Sequence, residues 1–271
     1  MSHDRITYNA ECERMLQKWE NASDVLPHLL IVQPENGGVG CEEFVEKLAK
    51  IYHEKKGIPR SFERSFLHLK YSKNMKEGER GLFFDSPRVV AKLYNHFIGV
   101  FCIEITDYIT QPEAQEFLKL LDYMTANASY IRFVLVVSTN DKEIANEMYC
   151  LLRRYIRLAR LNMDYADVNT YARVAVRQLQ DNGMTITSGF EQGLENHIEK
   201  LLSKENFSGY STIFNMIDDI VYEFEAERNT KLTKGHLQKY EKSSLLNEVS
   251  LRKQKKMGFW GGENAKNMYR K

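Results

Sequence analysis

The residues best spaced for chemistry lie between 28 and 44. Four consecutive hydrophobes, Leu29-Leu30-Ile31-Val32, are followed by a loop with Gly37, Gly38 and Gly40. An amphipathic stretch with Phe44, Val45, Leu48, Ile51 and Tyr52 on one side comes next. A run of hydrophobes with no polar face predicts a buried strand, and the 3.6-residue period predicts a helix. Strand, glycine loop and helix together make a phosphate cradle, because glycines let the backbone turn its N–H groups inward and the helix start adds positive dipole. The phosphate-loop pattern is G-x-x-x-x-G-K-[ST]. With Gly40 as its second glycine, Glu35 stands at the first glycine, Cys41 at the lysine and Glu42 at the hydroxyl residue. The turn is kept and the phosphate chemistry is replaced by groups of neutral or opposite charge. The three glycines are explained as a retained tight turn, with residual anion or nucleotide binding as the competing explanation. The acidic Glu42 is explained as a favourable helix start; pairing it with Glu104 as a magnesium site is the competing explanation.

Other chemistry is excluded by spacing. Seven histidines occur, and none forms H-E-x-x-H or another ligand spacing. A G-x-S-x-G nucleophile elbow is absent. The four cysteines, Cys12, Cys41, Cys102 and Cys150, are scattered without a C-x-x-C pair, so reduced thiols are expected.

The flanking elements must hold the loop in place. A lead-in helix is predicted over 8–20 and the loop helix over 41–56, stopped by Gly57 and Pro59. Residues 65–71 alternate, with Leu67, Leu69 and Tyr71 opposite His68 and Lys70, as a half-exposed edge strand does. A surface loop is expected over 73–81 and a helix over 86–97, opened by Ser86-Pro87. Buried strands are predicted over 98–105 and 133–137, helices over 111–124 and 142–153, and a short strand over 156–161. Such alternation implies a parallel sheet with helices on both faces. From about 164 the pattern is helical, with stripes at Val168–Leu179, Phe190–Leu201 and Ile213–Phe224. The expected organisation is a lead-in over 1–24, an α/β domain over 25–162, a small all-helical subdomain over 163–240 and a tail over 241–271.

At 271 residues with 43% hydrophobic content the chain can build a sizeable core, and no apolar run approaches a membrane span. The polar Met1–Asn9 has no apolar signal region, so a cytoplasmic location is expected. The net charge of +1 is uneven: residues 231–271 hold eleven Lys or Arg against three Asp or Glu. That local +8 leaves −7 on the rest, and such asymmetry marks an interacting tail. Arg252, Lys253, Lys255 and Lys256, followed by Phe259 and Trp260 between glycines, are the candidate contact residues. An acidic partner, a nucleic acid or the acidic body itself would suit them. The acidic face over 218–227 is a solvated face, or the dock for such a basic segment.

An α/β nucleotide-type domain followed by a small helical lid resembles the AAA+ ATPases, and here the branch with stage V sporulation protein K and the red-type Rubisco activase. Gly99-Val100-Phe101-Cys102-Ile103-Glu104-Ile105-Thr106-Asp107-Tyr108 resembles that branch's G-V-L-F-I-D-E-A-Y run. Ser138–Asn140 resembles its polar sensor, Leu151-Leu152-Arg153-Arg154-Tyr155 its arginine-finger segment, and Phe207–Thr212 its F-G-N-A-R lid segment. The resemblance spans about residues 25–230. It implies a parallel-sheet P-loop NTPase-like domain with a helical lid and a site of vestigial parts. These are the loop residues Glu35, Gly37, Gly38, Gly40, Cys41 and Glu42, then Glu104 and Ile105 at the metal-side and catalytic carboxylates. Thr139 and Asn140 follow as sensor-like residues and Arg154 as the finger-like arginine. The lid's sensor arginine falls at Ser211 or Thr212. The expectation is a non-hydrolytic interaction or regulatory subunit with no required cofactor, ATP and magnesium binding weakly at most. A protein partner or self-association is expected. The alternatives are a nucleotide-binding ATPase with an atypical loop and a nucleic-acid-binding accessory protein led by its tail.

Overall fold

The computed structural model describes residues 6–21, 26–58, 61–70, 97–105, 114–225 and 231–243. The expected loop over 73–81, the helix over 86–97 except Phe97, and the tail residues Arg252, Lys253, Lys255, Lys256, Phe259 and Trp260 lie outside them.

Five strands form one parallel sheet: β1 (His28–Gln33), β2 (Phe66–Lys70), β3 (Gly99–Glu104), β4 (Ile131–Ser138) and β5 (Leu158–Asn162), in the order β2-β3-β4-β1-β5. Leu30 pairs with Leu135 on one side and Arg160 on the other, and Val32 with Val137 and Asn162. A strand's side chains alternate between faces. The row containing Leu30, Phe101, Phe133 and Leu135 therefore packs under α3 (Ala114–Asn127) and α4 (Lys142–Leu152), where Leu121, Met124 and Leu152 are fully buried. The other face is covered by α1 (Ala10–Asn21) and α2 (Cys41–Lys56), through Trp19, Phe44, Leu48 and Tyr52. Helices on both faces explain why β1, β3 and β4 are apolar almost throughout.

Local signals set the helix ends. α2 stops at Gly57, whose φ of 54° is left-handed. Its N–H donates to Glu54 O (3.1 Å) and that of Ile58 to His53 O (3.3 Å), the paired bonds of a Schellman cap. α4 starts at Asp141, whose carboxylate accepts from the N–H groups of Glu143 (2.8 Å) and Ile144 (3.4 Å). β2 is one of the two edge strands, as its alternation predicts.

The chain divides into two compact units, Met1–Asp167 with Glu205–Thr212, and Val168–Lys204 with Ile213–Lys271. The second contains α5 (Val168–Asp181), α6 (Ser188–Leu202), most of α7 (Gly209–Glu225) and a helix over 234–243. Its core holds Tyr171, Phe190, Ile198, Ile220 and Phe224. It also contains a two-residue parallel ladder, β6 (Thr185–Ile186) with β7 (Lys231–Leu232), so it is helical but not wholly so. Strands this short carry no periodic signal. Thr187 ties the ladder to α6: its hydroxyl donates to Leu232 O (2.9 Å), and its Oγ1 accepts the N–H of Phe190 (3.4 Å).

Candidate functional site

The glycine loop leaves the carboxyl end of β1, where Gly37 N–H closes a turn on Pro34 O (2.8 Å). Gly37, Gly38 and Gly40 have φ of 63°, 73° and 79°, a region L side chains rarely adopt. Two of them have a second reason to be glycine. A Cβ on Gly38 would overlap the carbonyl of Ser208, and a Cβ on Gly209 the carbonyl of Gly38. A Cβ on Gly40 would meet Ile6 at 2.8 Å.

The chain's own segments therefore close over the loop. Asn36 Nδ2 donates to Glu205 O (2.8 Å) and Phe207 O (3.1 Å), while Ser208 Oγ donates back to Asn36 O (2.7 Å). The N–H of Tyr210 donates to Gly38 O at 2.6 Å, and its hydroxyl to Thr7 O at 2.6 Å. Tyr165 supports the segment from beside it, with its hydroxyl on Phe207 O (3.0 Å) and its ring edge-on to Phe207. On the other side Tyr8 packs edge-to-face on Phe44, centroids 5.3 Å apart. Phe207–Thr212, matched to the lid segment by resemblance, thus seats on the loop through bonds to main-chain carbonyls rather than through an arginine.

At the head of α2 no side chain caps the helix. Cys41 is buried, and burial, with the charge of Glu104 nearby, pushes its thiol far above the ordinary range. It is a neutral core group where the phosphate-loop pattern has a cation. Glu42 and Glu43 are exposed. Glu104 reaches His68 Nε2 at 2.8 Å, and Glu42 stands 3.8 Å from His68 Nδ1. Because β2 and β3 are in register at His68 and Cys102, His68 shares a face with Glu104, two residues on. Among the described residues no cluster of three or more His, Cys, Asp or Glu is arranged to hold a metal. Ile105 is fully buried, with its N–H on Val136 O (2.9 Å). An alkyl side chain there has no lone pair to activate water.

Thr139 and Asn140, at the carboxyl end of β4, brace the loop from below. Thr139 N–H donates to Gln33 O (2.9 Å), and Asn140 Oδ1 accepts the N–H of Glu35 (3.3 Å). Arg154 is exposed in the turn after α4. Since α4 runs back along the sheet to the start of β5, that turn lies at the amino ends of the strands, away from the loop. The loop, Glu104, Thr139 and Asn140 therefore converge at the carboxyl ends of the strands, and Arg154 does not join them. The sequence pattern did not single out His68, Asn36 or Ser208. His68 was legible only as a polar position on an edge strand, and the Asn36–Ser208 bond joins residues 172 positions apart.

No protein-family model matches the chain, and no curated protein matches it. Solved structures do. The RuvB Holliday junction branch migration motor of Thermotoga maritima superimposes with a TM-score of 0.55 at 15% identity, over 87% of this chain and 70% of that one. Domain III of the Thermotoga maritima replication initiation protein DnaA superimposes with a TM-score of 0.52 at 9% identity, over 86% and 90%. Identity this low bears on the fold alone, and with the β2-β3-β4-β1-β5 parallel sheet it establishes that this chain has the fold of AAA+ P-loop NTPases.

Proposed function

We propose that the chain is a non-hydrolytic AAA+-fold protein that serves as an interaction or regulatory subunit. The observation that carries this is the seating of Ser208–Tyr210 on Gly38, with buried Cys41 at the lysine position. The glycine loop is tied through its carbonyls to a piece of its own chain. Glu35 and Glu42 add negative charge at the loop, which opposes a polyphosphate. Ile105 supplies no base, and Glu104 faces His68. The resemblance to the stage V sporulation protein K and Rubisco activase branch places Arg154 toward a neighbouring subunit. Its exposure suits a contact with a protein partner or a second copy.

The test is a thermal melt with and without millimolar ATP and magnesium, alongside a phosphate-release assay. Ligand at ten times its dissociation constant would add about 1.4 kcal/mol of stability. An unchanged melting temperature and no release above background are expected. A rise of several degrees, abolished by Gly40→Val, overturns the proposal.

A second reading, a nucleotide-binding protein with an atypical loop, is favoured by one feature: the first N–H groups of α2 have no side-chain cap. The same melt decides between the two. A third, nucleic-acid binding, draws on the basic tail and on the branch-migration and replication-initiation roles in the names of the structural neighbours. The −7 of residues 1–230 opposes a polyanion.

A further inference from the structure

A cleft of about 490 Å³ opens at the carboxyl ends of β1, β4 and β5. It lies on the face away from α2. Val32, Arg160 and Asn162 line it, and they belong to the sheet row that faces α3 and α4. The chain leaves β1 toward α2 and leaves the adjacent β4 toward α4, on opposite faces. Such a divergence is where open α/β sheets place their ligands. The volume is within the range of small-molecule sites.

We propose that this cleft binds a small carboxylate-bearing molecule, anchored on the guanidinium of Arg160. Arg160 is half-buried and already oriented: Nε donates to Asn162 Oδ1 at 3.0 Å and Nη1 donates to Asn146 Oδ1. Two of its five N–H groups are used. Nη2 and one hydrogen of the neighbouring Nη1 are engaged by no group among the described residues. Donors so placed on a guanidinium suit the oxygens of a carboxylate.

The rest of the lining supplies donors. A guanidinium only donates, so Asn146 and Asn162 must turn their oxygens to Arg160, which leaves each NH2 as its open group. Asn140 likewise spends its oxygen on Glu35 N–H and keeps its NH2. Lys142 adds a second cation at the rim. The acceptors are fewer. Gln33 keeps its oxygen, since its NH2 donates to Ser138 Oγ (2.9 Å), and Asp164 is exposed. The carboxylate of Asp141 already accepts two N–H groups of α4. A donor-rich wall calls for an acceptor-rich ligand, and the two carboxylates beside it disfavour a polyphosphate. A mono- or dicarboxylate meets both conditions.

The full chain is titrated calorimetrically with acetate, succinate, L-glutamate and citrate, and separately with inorganic phosphate and magnesium ATP. At least one carboxylate is expected to bind with a dissociation constant below about 1 mM, weakened about tenfold or more by Arg160→Met. Because Arg160→Met removes two internal bonds, Asn146→Asp is the second variant. It keeps the bond to Arg160 on an exposed helix position and places a fixed carboxylate beside those donors, so it should fold and still lose the ligand. Three outcomes overturn the proposal: no carboxylate binds at about 10 mM, binding is unchanged in Asn146→Asp, or only phosphate or ATP binds.

Discussion

The backbone N–H of Tyr210 donates to the carbonyl of Gly38 across 2.6 Å, so a segment reached only after α2 to α6 completes the turn that follows the first strand. A methyl group on Gly38 would strike the Ser208 carbonyl next to this bond. The same group on Gly37 would find only Gln33 Nε2, at 4.0 Å. Gly38→Ala should therefore destabilise the ligand-free protein well beyond Gly37→Ala. The expected losses are about 3 kcal/mol or more against about 1 kcal/mol, since only the first adds a clash to the left-handed strain. Urea melts of both variants without nucleotide measure the difference. Equal losses would mean the glycine serves only the turn.

Glu104 and His68 yield a second expectation. The carboxylate at the end of β3 is 15% exposed and lies 2.8 Å from His68 Nε2. Its role is an internal charge-assisted hydrogen bond, so Glu104→Gln should cost on the order of 1–2 kcal/mol of stability. The loss should be the same with or without ATP and magnesium. A nucleotide-dependent change in stability, compared across the two buffers, would instead assign Glu104 to nucleotide chemistry.

The AAA+ fold was legible because its determinants are local. Leu29–Val32 and Phe133–Val137 are unbroken apolar runs, and Gly57 marks a helix end that the structure places beside it. The site was legible only in part. Gly37, Gly38 and Gly40 announced a left-handed loop, but Ser208 and Ile6, which exclude a Cβ at two of them, are tertiary neighbours with no sequence signal. Arg160 sits in a strand whose alternation is blurred by two faces of similar burial, and its guanidinium is oriented by Asn146, which α4 brings to it.

His28 sets a pH dependence. It is 4% exposed, and its Nδ1 accepts the N–H of Phe133 at 3.0 Å. Burial, reinforced by the charge of Arg132, lowers its pKa from 6.5 to about 4. The unfolded chain then binds the proton more readily than the folded one between those values. This contribution to stability is complete above pH 6.5 and is lost as the pH falls toward 4. The full loss is about 3 kcal/mol. In His28→Gln, which keeps an acceptor for the Phe133 N–H without a titrating ring, melts from pH 7 to 4 should fall less steeply than in the parent. Parallel pH profiles would remove His28 as the cause.

The last expectation concerns the C-terminal stretch. Four of the six residues 251–256 are basic, and Phe259-Trp260 follows between glycines. Lysines alone raise solubility, but a tryptophan beside them adds a side chain enriched at the centres of protein interfaces. The −7 of residues 1–230 gives such a segment an oppositely charged target on a second copy or on a protein partner. Salt screens exposed charges over a distance of about 8 Å at physiological ionic strength, so a contact of this kind should weaken as salt rises. Deleting 251–271 should lower self-association or partner capture and remove its salt dependence. Trp260→Ala should lower affinity and leave the salt dependence in place, because the charges remain. Sedimentation velocity at low and high salt separates the two effects. Identical profiles for the parent and both variants would show that this stretch makes no contact.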